Sequence, residues 1–139
     1  MSESRLIDDV LETVLALPLH RALGLRLVDP SDPSAGLAVE AHDGVINPSR
    51  VLHGGLHGLL IDVTAFLLVA TELPSRASAV TISSSVSIAA AAPAGSMITT
   101  TARIDRLGGS TAFLSGRIES DGAIIATAQV VKAIRRPRS

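Results

Sequence analysis

The sequence predicts an α+β fold in which an antiparallel sheet wraps around one long apolar helix. Three observations predict it. Residues 53–71 form a helix-length apolar stretch that Pro74 stops. After this stretch the hydrophobic period changes to two, as a half-buried strand requires. Turn signals at Pro93 and Gly95, at Gly108-Gly109 and at Asp121-Gly122 then divide the remaining chain into four strands. A helix that is apolar nearly all round must be covered on most sides. A curled sheet supplies one cover and a second subunit supplies another.

The other elements follow in chain order. Ile7, Val10, Leu11, Val14 and Leu15 recur at helical spacing, which predicts an amphipathic helix over residues 3–16, ended by Pro18. Residues 23–28 (LGLRLV) alternate weakly and read as a strand. Residues 29–34 (DPSDPS) read as a turn cluster and residues 36–41 as a second short strand. Residues 42–52 form a polar loop containing Asn47 and Pro48. Beyond the long helix, Val80, Ile82, Ser84, Val86 and Ile88 alternate with Thr81, Ser83, Ser85 and Ser87. Strands over 97–107, 111–119 and 123–134 complete the set. Tight turns between the late strands predict an antiparallel meander. The basic tail, about 135–139 (RRPRS), reads as loose. Residues 1–139 read as one domain, without repeats.

Composition removes several function classes. With 47% hydrophobic residues the chain buries a core. It has no cysteine, which excludes disulfides and thiolate metal sites and fits a cytoplasmic protein. The net charge of −1 gives no field to recruit nucleic acid or anionic membrane. Phe66 and Phe113 are the only aromatic residues of the Phe/Trp/Tyr class, so base-stacking platforms are absent. The N-terminus mixes charges from the start and lacks a signal-peptide layout. Residues 51–71 are apolar enough to suggest a membrane span, but Asp62 in the middle would be costly in lipid.

The chemistry is concentrated in residues 47–62 (NPSRVLHGGLHGLLID). His53-Gly54-Gly55 sits where the loop enters the helix. A helix N-terminus offers unpaired N–H groups and a positive dipole end, and glycine lets a ligand approach that backbone. A thioester carbonyl placed there meets an oxyanion site. Asp62 lies in an apolar helix with no cation within one turn, so it needs a partner or a task. Eight residues separate it from Gly54, about 12 Å along a helix axis. A general base acts at about 3 Å or through one water. A second, antiparallel copy of the helix would bring Asp62 of one subunit near Gly54 of the other. If both features belong to one site, spacing favours a site shared across a twofold interface.

At these residues the sequence resembles the hotdog-fold acyl-CoA thioesterases, in particular the PaaI-like (phenylacetic-acid degradation) branch. The resemblance rests on Asn47, on His53-Gly54-Gly55 six residues further on, and on Asp62 nine residues after the histidine. It implies that the Gly54 amide binds the thioester oxygen and that Asn47 and His53 hold the reaction centre or the attacking water. Asp62 from the partner subunit would be general base or nucleophile. Thr81 falls near the hydroxyl residue that orients the water, with Ser83 as the same-face alternative. Gly55 would join the substrate-binding backbone. The resemblance implies an acyl-CoA substrate, no metal, no cofactor other than the coenzyme A of the substrate, and a dimer or dimer of dimers. The sequence departs from the family pattern at Arg50, where a glycine is common; its bulk could narrow the entrance, or its charge could meet a phosphate. The Gly108-Gly109 hairpin lacks a following basic residue, and Ala89 to Ala92 replace a frequent aromatic before Pro93, which suggests a reshaped acyl pocket.

Plainer readings stand beside these. Gly54 and Gly55 could serve helix packing, Asp62 could be a structural carboxylate, and Asn47 a turn residue before proline. His53 and His57, four apart, could suggest a metal, but no third ligand is evident. His57 has no assigned role. The same fold also hosts enoyl-thioester hydratases or dehydratases, and a non-catalytic acyl-CoA-binding module is a further alternative.

Overall fold

The computed structural model describes residues 3–74 and 77–137. Ser75, Arg76, Arg138 and Ser139 lie outside the described residues, and with them the end of the expected basic tail. Helix α1 (Glu3–Leu15) is followed by a short α2 (Pro18–Leu23), then β1 (Arg26–Leu27), a 3₁₀ turn (Pro33–Ala35) and β2 (Leu37–Glu40). The long helix α3 (Gly54–Glu72) precedes β3 (Ser78–Ile88), β4 (Met97–Leu107), β5 (Thr111–Ser120) and β6 (Ala123–Arg135). All six strands pair antiparallel in one sheet of order β1-β2-β4-β5-β6-β3.

Pro18 does stop the first helix, but it also starts α2, because its ring fits the first helical position, where no intrahelical N–H bond is needed. The strand expected over 23–28 therefore shrinks to two residues. Leu23 closes α2, and Gly24 caps it at φ 79° with its N–H on the carbonyls of His20 and Arg21. The meander is confined to β4, β5 and β6. The segment through Pro93 and Gly95 is a crossover rather than a hairpin: β3 pairs with β6 at the far edge, and β4 pairs with β2. Asp121 and Gly122 both have positive φ, 48° and 87°, as the tight β5–β6 turn requires.

Helix α3 lies against one face of the sheet. Leu60, Ile61, Leu67 and Val69 are almost fully buried, each contributing about 1.5–3 kcal/mol by leaving water. The helix approaches closely because a cross-strand row of small residues, Ala102, Gly116 and Ala128, lies beneath it. A Cβ at Gly116 would come 2.8 Å from Cδ1 of Ile61. Buried Thr64 ties helix to sheet, donating to the Leu60 carbonyl and meeting the hydroxyl of Thr100 on β4. The helix long and apolar enough for a membrane span is thus packed on the sheet.

The alternation in β3 is interrupted. Thr81 pairs with Lys132 and Ser83 with Val131, so Ile82 is an extra residue in a β-bulge. The bulge keeps the expected inward face from Ser84 onward and reverses it before Ser83. Thr81 points to the helix side with Ser84, Val86 and Ile88, whereas Val80 and Ile82 are 58% and 61% exposed. Arg136, expected in the loose tail, is held by the β4–β5 turn, donating to the carbonyls of Gly109 and Gly108 at 3.2 and 3.4 Å.

Two glycines separate steric from conformational demands. Gly36 has φ 99°, and a Cβ there would fall 2.0 Å from the Thr100 carbonyl oxygen. Gly122 also has positive φ, but nothing lies within 4 Å of its Cβ position. Gly36→Ala is expected to cost about 2–4 kcal/mol and Gly122→Ala about 1 kcal/mol in urea unfolding. Equal losses at the two positions would contradict the close approach of β2 to β4.

Candidate active site

The first turn of α3 is built by its histidines. His53 is the N-cap, and its Nδ1 accepts the Gly55 N–H at 3.1 Å. That bond places the proton of a neutral ring on Nε2. Gly55 is thereby engaged in the cap, while the Gly54 N–H finds no acceptor among the described residues. His57, unassigned from sequence, is buried and donates from Nδ1 to the Gly54 carbonyl at 3.0 Å. It latches a glycine-rich turn that would otherwise fray. Its Nε2 is buried with no partner among the described residues. Nothing lies within 4 Å of a Cβ position at Gly54 or Gly58, so this backbone is open to an approaching group.

Asp62 stands two turns further along the same helix, and its partner is Lys132, the chain's only lysine. Lys132 Nζ lies 3.3 Å from Asp62 Oδ1 and donates to Thr81 Oγ1 at 2.9 Å. Thr81 in turn donates its hydroxyl proton to Asp62 Oδ1. The ammonium also sits 5.7 Å from the centroid of the Phe66 ring, within cation–π range. Its side chain is 2% exposed, against 45% for Asp62. The bulge in β3 and the pairing of Thr81 with Lys132 set the two side chains beside each other. The inward alternation of β6 through Ala128, Val130, Lys132 and Ile134 delivers the lysine to the helix side.

A groove between α3 and β3 joins the two ends. It is lined by Gly54, Gly55, Gly58, Leu59, Asp62, Thr81, Ser84, Val86 and Ile88. Of the residues singled out from sequence, Gly54, Gly55, Asp62 and Thr81 therefore share one surface. Ser83 does not join them. The bulge turns it away, and Ser84 takes the inward position. Asn47 and Arg50 also lie outside the groove lining. Asn47 Oδ1 accepts the N–H groups of Ser49 and Val51 at 3.0 and 3.4 Å, which knits the loop before the helix. Arg50 adopts φ 61°, explaining why a glycine would suit this position, and its guanidinium is exposed beside Asp43. Among the described residues no group of three or more His, Cys, Asp or Glu side chains could hold a metal ion.

Sequence reasoning missed Lys132. The signal was present: Thr127 and Gln129 mark the outward face of β6, which assigns residue 132 to the core face. A lysine there requires a buried anion or acceptor.

Comparison with known proteins agrees with this architecture. A family model described as the thioesterase superfamily matches residues 50–133. Comparison with curated proteins finds no significant match. Among solved structures, the chain is similar to a phenylacetic acid degradation-related protein of Ralstonia eutropha JMP134. Identity is 28%, with 94% of this chain and 98% of that chain covered and a TM-score of 0.75. It is also similar to a point mutant of the phenylacetic acid degradation protein PaaI from Thermus thermophilus, at 24% identity, 84% and 98% coverage and a TM-score of 0.74. A Bacillus halodurans protein solved with CoA aligns at 23% identity, over 71% of this chain and 70% of that one, with a TM-score of 0.68. The architecture is the hotdog fold.

The unequal burial of the ion pair yields a stability prediction. Removing the carboxylate leaves the Lys132 charge in the interior, and only the Asp62 end is relieved by solvent. Asp62→Ala is expected to lower stability by about 2–4 kcal/mol in urea unfolding. A change below about 0.5 kcal/mol, the range of an ordinary surface substitution, would contradict the pairing.

Proposed function

We propose that this chain, which belongs to the thioesterase superfamily, hydrolyses an acyl-CoA to the free acid and coenzyme A. The observation that carries the reading is the α3–β3 groove, with open helix N-terminal backbone at one end and a partly exposed carboxylate at the other. In this reading the thioester carbonyl accepts from the Gly54 N–H, with the His53 Nε2–H as a second donor. Asn47 holds the loop that presents them. Asp62 takes a proton from water as the oxygen adds to the carbonyl carbon, or attacks that carbon itself to give, after the thiolate leaves, an acyl-Asp62 anhydride that water hydrolyses to the free acid. Collapse of the tetrahedral intermediate breaks the C–S bond, and the thiolate of coenzyme A leaves and is protonated. Thr81 steadies the carboxylate. The scheme uses no metal and no cofactor beyond the coenzyme A of the substrate.

The reading includes a second copy of the chain. Gly54 and Asp62 are eight residues apart on one helix, about 12 Å along its axis, too far to serve one carbonyl. Strand β3 is an eleven-residue edge whose free side is a template for pairing. Pairing two β3 edges antiparallel would set two α3 helices side by side and bring each Asp62 toward the other subunit's Gly54. The CoA in the Bacillus halodurans structure supports coenzyme A as the carrier. The exposed Arg50 guanidinium is suited to its phosphates.

Thiol release from a panel of aryl and aliphatic acyl-CoAs tests the reading. At least one substrate should turn over, and Asp62→Asn, which keeps an acceptor for Lys132 and Thr81, should reduce kcat by about 10²- to 10⁴-fold. Binding of acyl-CoA without thiol release by the wild type would favour a binding module, and gain or loss of water without thiol release a hydratase. Gly54→Ala meets no neighbour within 4 Å. It should leave the melting temperature unchanged and lower kcat/KM at least about tenfold by blocking the approach of the carbonyl. Wild-type kcat/KM in that variant would exclude the Gly54 backbone from the site.

A further inference from the structure

Lys132 is too buried to touch a substrate, yet it touches the carboxylate that the proposed function uses. An ammonium has three N–H bonds in tetrahedral directions. Among the described residues the Lys132 ammonium meets Asp62 Oδ1, Thr81 Oγ1 and the face of Phe66. Asp62 Oδ1 accepts from both Lys132 and Thr81. Asp62 Oδ2 has no partner among the described residues, and the side chain lines the groove. The two oxygens of the carboxylate are thus unequal: one is held from beneath by the sheet, and the other meets no donor among the described residues.

We propose that Lys132 is a positioning residue that, with Thr81, pins Asp62 Oδ1 and so presents Oδ2 as the reacting oxygen. This rests on the thioesterase reading above and adds a residue and an atom to it. The physical reason is orientational. A carboxylate on a half-exposed helix face can rotate about both side-chain torsions and exchange its oxygens. Two donors from different strands, one charged, fix the oxygen they hold and therefore the direction of the other. Thr81 supplies only an uncharged hydroxyl to that oxygen. Lys132 comes from β6, which is paired on both sides, by β5 and by β3, and carries the rigidity of the sheet. The substrate never contacts the lysine, so its removal should leave binding intact and slow the chemical step.

The test compares the wild type with Lys132→Met and Lys132→Gln in steady-state thiol release, using the acyl-CoA that the wild type turns over best. Methionine matches the unbranched stem and can still pack on Phe66. Asp62, being partly exposed, can regain water. Lys132→Met should lower kcat by about 10- to 100-fold with KM within about threefold, the loss expected from a misplaced reacting group. Lys132→Gln keeps an uncharged donor and should fall between the two, at least about threefold below wild type. Melting temperatures of the variants should not rank in the order of their kcat values. Wild-type kcat in either folded variant overturns the proposal, as does a loss shared equally by kcat and KM that tracks the melting temperature. Should Lys132→Met fail to fold, Lys132→Gln decides by the same criteria. A wild type that releases no thiol from any acyl-CoA sinks the thioesterase reading and this proposal with it. An active wild type with unimpaired Lys132 variants removes this proposal alone.

Discussion

An ammonium group inside a protein must meet a counter-charge, and that requirement organises the candidate site around Lys132. Taking it out of water costs several kcal/mol, which the interior offsets only if the geometry of its partners is good. The cluster draws on three separate elements: Asp62 and Phe66 from α3, Thr81 from the edge strand β3, and the lysine itself from β6. Each must therefore be in register. The bulge at Ile82 is part of this arrangement, since it puts Thr81 opposite Lys132 and then turns Ser84, Val86 and Ile88 toward the helix. The groove beside Asp62 follows from the same shift.

The other end of the groove depends on a different constraint. A helix that begins Gly-Gly has little intrinsic reason to keep its first turn, because glycine loses the most conformational freedom on ordering. Two histidines supply what the glycines lack. His53 caps the turn from outside and His57 holds the Gly54 carbonyl from within. The loop before them is set by the Asn47 side chain and by the left-handed turn at Arg50. Open backbone at Gly54 and Gly58 is thereby held in place without side chains that would cover it. The small row Ala102, Gly116, Ala128 plays the corresponding part beneath the helix, letting α3 settle close enough for Lys132 to reach Asp62.

Much of this architecture was legible in the sequence. The apolar run that becomes α3 is long, bounded by Pro74 and flanked by period-two strands, so its type and extent follow from pattern alone. The turns at Gly108-Gly109 and Asp121-Gly122 were readable because their residues tolerate the backbone angles that tight turns need. The bulge was not, since an extra residue leaves the alternation of β3 looking intact while reversing the faces before it; that is why Thr81 and Ser83 share a face in the pattern but not in the structure. The crossover through Pro93 was hidden as well, because a turn signal does not say which strands pair. Pro18 was readable as a stop but equally fits a start. Of the candidate site, Gly54, Gly55, Asp62 and Thr81 were legible and share a groove. Lys132 escaped because its partner lies seventy positions away and only the inward register of β6 connects them.

Lys132 and Asp62 form one coupled unit, buried at the lysine and partly exposed at the carboxylate, rather than two independent polar residues. A double-mutant cycle in urea unfolding, with Asp62→Ala, Lys132→Met and the combination, measures this directly. The account predicts that Lys132→Met introduced into Asp62→Ala restores stability, because it removes the charge left without a counter-ion, giving a coupling of at least about 1 kcal/mol. Costs that simply add, with the double variant the least stable of the four proteins, would contradict it.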